Sequence, residues 1–455
     1  MQVRNMTEGK PIRLILAVAL PLMLGNIFQQ MYTVVDAQVV GRVEGVSALA
    51  ALGASDWFYW MLLGVVLGLA QGVTIPIAQA FGAGDYQALR KNIGNAAVLA
   101  AVSSVGLAAL SVALIPWVLN LLGTPTEIRP MSQAYLTVLF SAFPVVMGYN
   151  FLAGILRSLG DGKSPLYAMI VASLVNIALD LLFVAGFHWG VVGAGVATVI
   201  AQICASLFCL HRLSKVDFIR PSREDLKPDR KISSRLMTLG IPIAAQNALI
   251  GVGGMILQTV VNVLGVAFIA GYTATNKLYG VLEIAAVSYG YATSTYTGQN
   301  LGAGKLTRIR KGVHSSAIAG VLTACLIAAI MLLFGRGIIS GFISGDSAEV
   351  AEASRIAWEY LFLMSVCLPV LYVLYVYRSA LQGMGNTVMP MVSGLAEFVM
   401  RTGSALPLPG LIGYPGVFWA EVLAWLGADL ILLPSYYLLL SGLRKKALKE
   451  GQSVA

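Results

Sequence analysis

Twelve apolar windows, each about 20 residues long, constrain this chain more than any other feature. They begin near Leu14, Ala48, Ile93, Met131, Leu166, Val191, Leu236, Ala267, Val313, Trp358, Val388 and Val417. A segment of that length and character is stable in lipid only as a helix, because no water is present to pair an open backbone. Composition agrees: 58% of the residues are hydrophobic and 11% charged, against roughly 25% charged in a soluble domain. The expected fold class is an all-α polytopic membrane protein with twelve transmembrane helices. The windows near Leu14, Ala48 and Ala267 are long and partly polar, which predicts tilted helices or helices lining a watery cavity.

Charge placement orients these spans. The net charge of +9 would point to nucleic acid or acidic partners in a soluble protein. Here 23 of the 30 Lys and Arg fall in groups before the first span or after every second one: Arg4 to Arg13, Arg90 and Lys91, Arg157 and Lys163, Arg212 to Arg235, Lys305 to Lys311, and Arg444 to Lys449. The alternate loops hold only Arg42, Arg129, Arg336 and Arg355. The positive-inside rule then places both termini in the cytoplasm, with the bilayer and not nucleic acid as partner. Cys204, Cys209, Cys325 and Cys367 all lie in apolar spans without a CxxC pair, so they read as small buried hydrophobes. The first span lacks a signal peptidase pattern and is expected to remain as the first helix.

The chain is also duplicated. LPLMLGN (Leu20 to Asn26) matches IPIAAQN (Ile241 to Asn247), FGAGDYQALRK (Phe81 to Lys91) matches LGAGKLTRIRK (Leu301 to Lys311), and LRSLGDGKSP (Leu156 to Pro165) matches LQGMGNTVMP (Leu381 to Pro390). A fourth match pairs GAGVATVIA (Gly193 to Ala201) with GVFWAEVLA (Gly416 to Ala424). All keep the same order at an offset of about 220 residues, which chance explains poorly. The expected organisation is two pseudo-symmetric six-helix bundles, 1–213 and 235–455, joined by the polar cytoplasmic linker 214–234. Two bundles inserted the same way up suit alternating access to a central cleft. The GAG turns are tight loops and not phosphate loops, since GxxxxGK[ST] is missing from both.

Within VNIALDLL, Asn176 and Asp180 lie four residues apart and so share one helix face. A carboxylate inside an apolar span costs about 2.5 to 3.5 kcal/mol on insertion scales and usually marks an ion or proton pathway. Asn26, Gln29, Gln30, Thr33 and Asp36 fall within an arc of about 120° on the first span, making one face of it polar. Asp36, Asn176 and Asp180, with Thr198 from the next span, can supply hard oxygen ligands to Na⁺, or the two carboxylates can carry a proton. A hydrogen-bonded network without an ion is the structural alternative. Alignment of the halves puts Leu257, Val399, Gly403 and Glu421 at or near the corresponding positions, so this set belongs to the first bundle alone.

The second bundle carries Lys277, Glu283, Arg378, Glu397, Arg401, Glu421 and Asp429 within its spans. The spacing of Glu397 and Arg401 predicts an intrahelical pair. Glu283, in a segment containing Tyr279, Tyr289, Tyr291 and Tyr296, is a candidate for a cationic substrate or a second proton, or for pairing with Lys277. Tyr372, Tyr375 and Tyr377 can line a cavity for flat cations or simply pack. Asp56, beside Trp57, Tyr59 and Trp60, reads as interfacial. No GxSxG or HExxH occurs, and His188, His211 and His314 are scattered, so the chain is expected not to be an enzyme and to need no cofactor beyond a coupling ion.

Together MYTVVDAQVVGRV, ALAALG, the GAG turns, RSLGDGKSP, VNIALDLLFV, GVVGAGVATVIAQ and FWAEVLAWLGAD resemble the multidrug and toxic compound extrusion (MATE) family over nearly the whole chain. The resemblance implies two six-helix lobes and efflux of organic cations and amphiphiles by Na⁺ or H⁺ antiport, in a bacterial cytoplasmic membrane, by a protein read as a monomer. It assigns cation coupling to Asp36, Asn176, Asp180 and Thr198, the Na⁺ ligands if Na⁺ is the ion. Glu283 resembles the second-lobe acid of some branches, with Asn26, Gln30, Thr33, Tyr279 and Arg401 as further substrate or second-site candidates. LYVLYVYRSALQG holds Arg378 where certain branches carry an acid, which favours first-lobe coupling. The alternative is a flippase for lipid-linked oligosaccharide or another lipid, which would want more cleft Arg and Lys. A receptor or scaffold retaining the fold would not need Asp36 and Asp180.

Overall fold

A computed structural model describes residues 3–341 and 348–450; the ends of the two expected lobes, 1–2 and 451–455, lie outside them. The first half comprises α1 (Pro11–Val43), α2 (Val46–Ala83), α3 (Tyr86–Leu121), α4 (Arg129–Ser141), α5 (Phe143–Ser158), α6 (Lys163–Asp180) and α7 (Gly190–Leu213). The second comprises α8 (Arg230–Val263), α9 (Val266–Gly302), α10 (Leu306–Ser340), α11 (Ala348–Gly383), α12 (Val388–Ala405), the short α13 (Leu408–Ile412) and α14 (Pro415–Lys449). Among the described residues nine helices are long and apolar enough to cross a bilayer, and α4 with α5, bent by 44°, forms a tenth. The bend falls where Pro144 removes a backbone donor. The charged α9 and α12 complete twelve long helical segments, as the apolar windows predicted.

The chain forms two compact units. One contains Leu20–Ala248 with the described residues up to Met6, and the other Thr7–Ala19 with the described residues from Leu249 onward. Both α1 and α8 are therefore divided along their length.

In the first unit the core is aromatic and aliphatic, with Phe58, Phe140 and Phe143 linked at 5.1 Å between ring centroids. Gly64, Gly68 and Gly72 make a small-residue ridge on α2, against which the start of α8 lies. A Cβ on Gly72 would stand 2.3 Å from the Gly240 Cα, and one on Gly68 2.6 Å from that of Ala244. Asn247 Nδ2 donates to the Gly64 carbonyl at 2.8 Å, closing the same seam.

The second unit is tied by a stacked aromatic column: Tyr272 on Tyr360 at 4.9 Å, Tyr360 on Phe418 at 4.6 Å. Its α10 divides cleanly by residue size. Gly312, Ser316, Gly320, Ala324 and Ala328 are buried, while Ile318, Leu322, Leu326, Ile330 and Phe334 are exposed, as expected of a helix packing by close approach on one side and facing lipid on the other.

The duplicated GAG turns fold alike. Gly84 and Gly304 adopt φ of 70° and 71° at their helix ends. Asp85 N–H then bonds the Ala80 carbonyl at 3.1 Å, and Lys305 N–H that of Asn300 at 2.9 Å. Asp85 also caps α3 by accepting from Ala88 N–H at 2.9 Å, which Lys305 cannot do for α10. The linker is docked rather than free: Asn95 accepts from Asp229 N–H at 2.7 Å, and Phe218 packs on Phe81 and Tyr86.

Candidate cation-coupling site

The position of α6 is set at its base. Asp161 accepts from the N–H groups of Lys163 and Ser164 at 3.0 Å each, starting the helix directly after the RSLGDG turn. Higher on α6, the Ser173 hydroxyl reaches the Phe28 carbonyl of α1 at 3.2 Å, and Gly25 of α1 approaches Leu166. Those contacts hold α1 beside the face of α6 that carries Asn176 and Asp180. Both of these residues are fully buried, and Asp36 on α1 is 6% exposed. Immediately after Asp180 the helix widens into a π turn over Leu181–Gly186, a distortion frequent at functional sites.

Asn176 Nδ2 donates to the Thr198 hydroxyl of α7 at 3.5 Å, leaving its amide oxygen without a partner. Asp36 Oδ1 and both carboxylate oxygens of Asp180 are likewise buried and unpaired, as is Gln202 Oε1 on α7. Asp36 and Asp180 interact electrostatically, and Tyr32 stands beside both and beside Gln202. Asp36, Asn176, Asp180 and Gln202 thus carry five orphan acceptor oxygens, of a kind that buried polar groups rarely leave unsatisfied; Glu44 Oε1 and the Ser111 hydroxyl are further orphans in the same unit. Two carboxylates, two amide oxygens and a hydroxyl suit a hard monovalent cation. Among the described residues no group of three or more His, Cys, Asp and Glu is placed to hold a metal.

The remaining polar face of α1 does not converge as tightly. Thr33 is exposed and donates to its own helix at the Gln29 carbonyl, 3.0 Å. Asn26 and Gln30 are half-buried.

In the second unit the expected Glu397 to Arg401 pair within one helix is not made. Glu397 instead pairs with Arg378 of α11, and Arg401 with Glu421 of α14 at 2.8 Å. Each ion pair joins two helices, which a spacing rule confined to one helix does not foresee. Glu283 accepts from the Tyr375 hydroxyl, and Lys277 is exposed. Tyr279 stacks on Trp425 at 5.9 Å, while Tyr372 donates to the Leu282 carbonyl at 2.9 Å.

Sequence reasoning passed over Gln202 and Tyr32, although each lies four residues from a flagged position, Thr198 and Asp36, and so shares its helix face. Asp56, read as interfacial, stands close enough to Asp36 to act on it electrostatically.

The sequence model of the MatE family matches residues 21–182 and, a second time, 242–404. The probable multidrug resistance protein YpnP of Bacillus subtilis is 28% identical over 428 residues, covering 94% of this chain and 92% of that protein. The probable multidrug resistance protein NorM of Thermotoga maritima is 26% identical over 446 residues, covering 93% and 91%. A MOP superfamily transporter from Pyrococcus furiosus has the same fold, with a TM-score of 0.91 at 22% identity over 98% of this chain and 99% of that one. The double match agrees with the duplication read from the sequence repeats. The chain belongs to the MatE family of membrane transporters, with one copy of the family's repeat in each half.

Proposed function

We propose that this protein is a secondary active exporter that moves amphiphilic organic cations out of a bacterial cell by antiport with Na⁺ or H⁺. It works as a monomer in the cytoplasmic membrane, with both termini and the linker 214–234 inside. The observation that carries the reading is the set of five orphan oxygens on Asp36, Asn176, Asp180 and Gln202. Acceptors buried in an apolar bundle without donors are costly until a cation or proton reaches them, so ion binding has a large effect on this unit. An ion shifts a conformational equilibrium only by its differential affinity for the two states. Coupling follows if ion and drug favour different states of the first unit. The multidrug resistance names of the relatives support the substrate class. The distribution of Lys and Arg supports the orientation.

Efflux of a fluorescent organic cation from proteoliposomes, under an imposed Na⁺ or pH gradient, tests this. One gradient drives the wild type, and Asp180→Asn is inert under both. Export by Asp180→Asn at the wild-type rate would remove the mechanism.

A further inference from the structure

Among the described residues, the helices α9, α11, α12 and α14 of the second unit bury or half-bury Glu283, Arg378, Glu397, Arg401, Glu421 and Asp429, six side chains that carry charge when ionised near neutral pH. Four have ionic partners, since Arg378 holds Glu397 and Arg401 holds Glu421. Glu283 accepts from the neutral Tyr375 hydroxyl. Asp429 on α14 is 7% exposed, and its Oδ1 has no hydrogen-bond partner. It acts electrostatically on Arg378, but Arg378 is bonded to Glu397 on α12.

An ionised carboxylate in this position leaves Oδ1 without a donor to offset its lost hydration. Two ligands could relieve it, a metal ion or a proton. A metal ion needs several oxygens around it. Among the described residues no group of three or more His, Cys, Asp and Glu is placed to hold one. A proton needs only one oxygen.

We propose that Asp429 is a second proton-exchange site, separate from the carboxylates of the first unit. In the exchange one proton adds to a carboxylate oxygen of Asp429, taking its charge from −1 to 0, and no other bond forms or breaks. The groups facing it decide the consequence. Neutral Asp429 exerts no charge on Arg378, so the α11 to α12 pair with Glu397 is at its strongest. Ionised Asp429 competes for Arg378 and draws α11 toward α14. Glu283 on α9, Tyr377 on α11 and Arg401 on α12 also contribute to the field at this network. The inference deepens the antiport reading, and rests on it for the site's role in transport, but the site itself is read without any drug.

Infrared difference spectra of the full protein in membranes, taken between alkaline and acid pH with no drug present, test the assignment through the C=O stretch of protonated carboxyl groups. The wild type gains a band that Asp429→Asn lacks, that Asp180→Asn retains, and that Asp429→Glu shows at a shifted frequency. Retention of every wild-type band in Asp429→Asn overturns the proposal. If Asp429→Asn does not fold, an unshifted spectrum for Asp429→Glu overturns it equally. Failure of the export reading is seen separately, as gradient-independent efflux in the wild type.

Discussion

At Gln202 a buried amide oxygen on α7 has no donor of its own. If it is a ligand, Gln202→Leu removes one charge-assisted contact, about 1.5 to 3 kcal/mol, and weakens the coupling ion roughly tenfold to a hundredfold. Titration of the purified protein with that ion by calorimetry measures this, and unchanged affinity would exclude the ligand role. Arg401 and Glu421 call for a different expectation. Removing either partner of a buried pair leaves the other charge uncompensated and costs about 3 to 5 kcal/mol. Arg401→Met with Glu421→Met together should cost much less than either alone, as a double-mutant cycle in thermal unfolding will read. Spacing made Asn176 and Asp180 legible as a unit, since residues four apart share a helix face. The same rule misassigned Glu397 and Arg401 because each reaches a neighbouring helix instead.

Among elements, the seam between α2 and the start of α8 is the least tolerant. Gly72→Leu places a branched side chain where the Gly240 backbone already lies, and overpacking of that kind costs about 1 to 3 kcal/mol or more. A lower melting temperature and reduced folded yield in detergent are expected, whereas Gly106→Leu, which meets open space on α3, should leave both unchanged. The linker offers a pH test. Hydrogen bonds from the Ser222 backbone N–H and hydroxyl hold the Asp225 carboxyl below its ordinary value. A depressed carboxylate stabilises the docked form fully above the unfolded value of about 4, and that contribution is lost as pH falls through the lower folded value. Hydrogen-exchange protection in residues 218–229, taken relative to the intrinsic rate at each pH, should therefore stay constant from neutral pH to about 4 and fall only in stronger acid. Helix spans were readable because apolar length is local, and Pro144 marks the bend in the fourth span. Nothing in LLFVAG announces a π turn, and the division of α1 and α8 between units depends on tertiary contacts.

For the whole molecule, the duplicated sequence predicts two related bundles, and the double family match with paired GAG turns bears out the repeat. The repeats are not chemically equivalent, however. The first unit concentrates orphan oxygens from α1, α6 and α7, while the second neutralises most of its charge in interhelical pairs. That asymmetry is the physical basis for placing ion coupling in the first unit. The most direct test is the affinity of purified protein for a fluorescent organic cation, measured as Na⁺ is raised at fixed pH and as pH is lowered without Na⁺. The account predicts that one of the two ions weakens drug binding in the wild type and that Asp180→Asn binds drug with no response to either. Wild-type affinity indifferent to both ions, or an Asp180→Asn protein that responds as the wild type does, would contradict it.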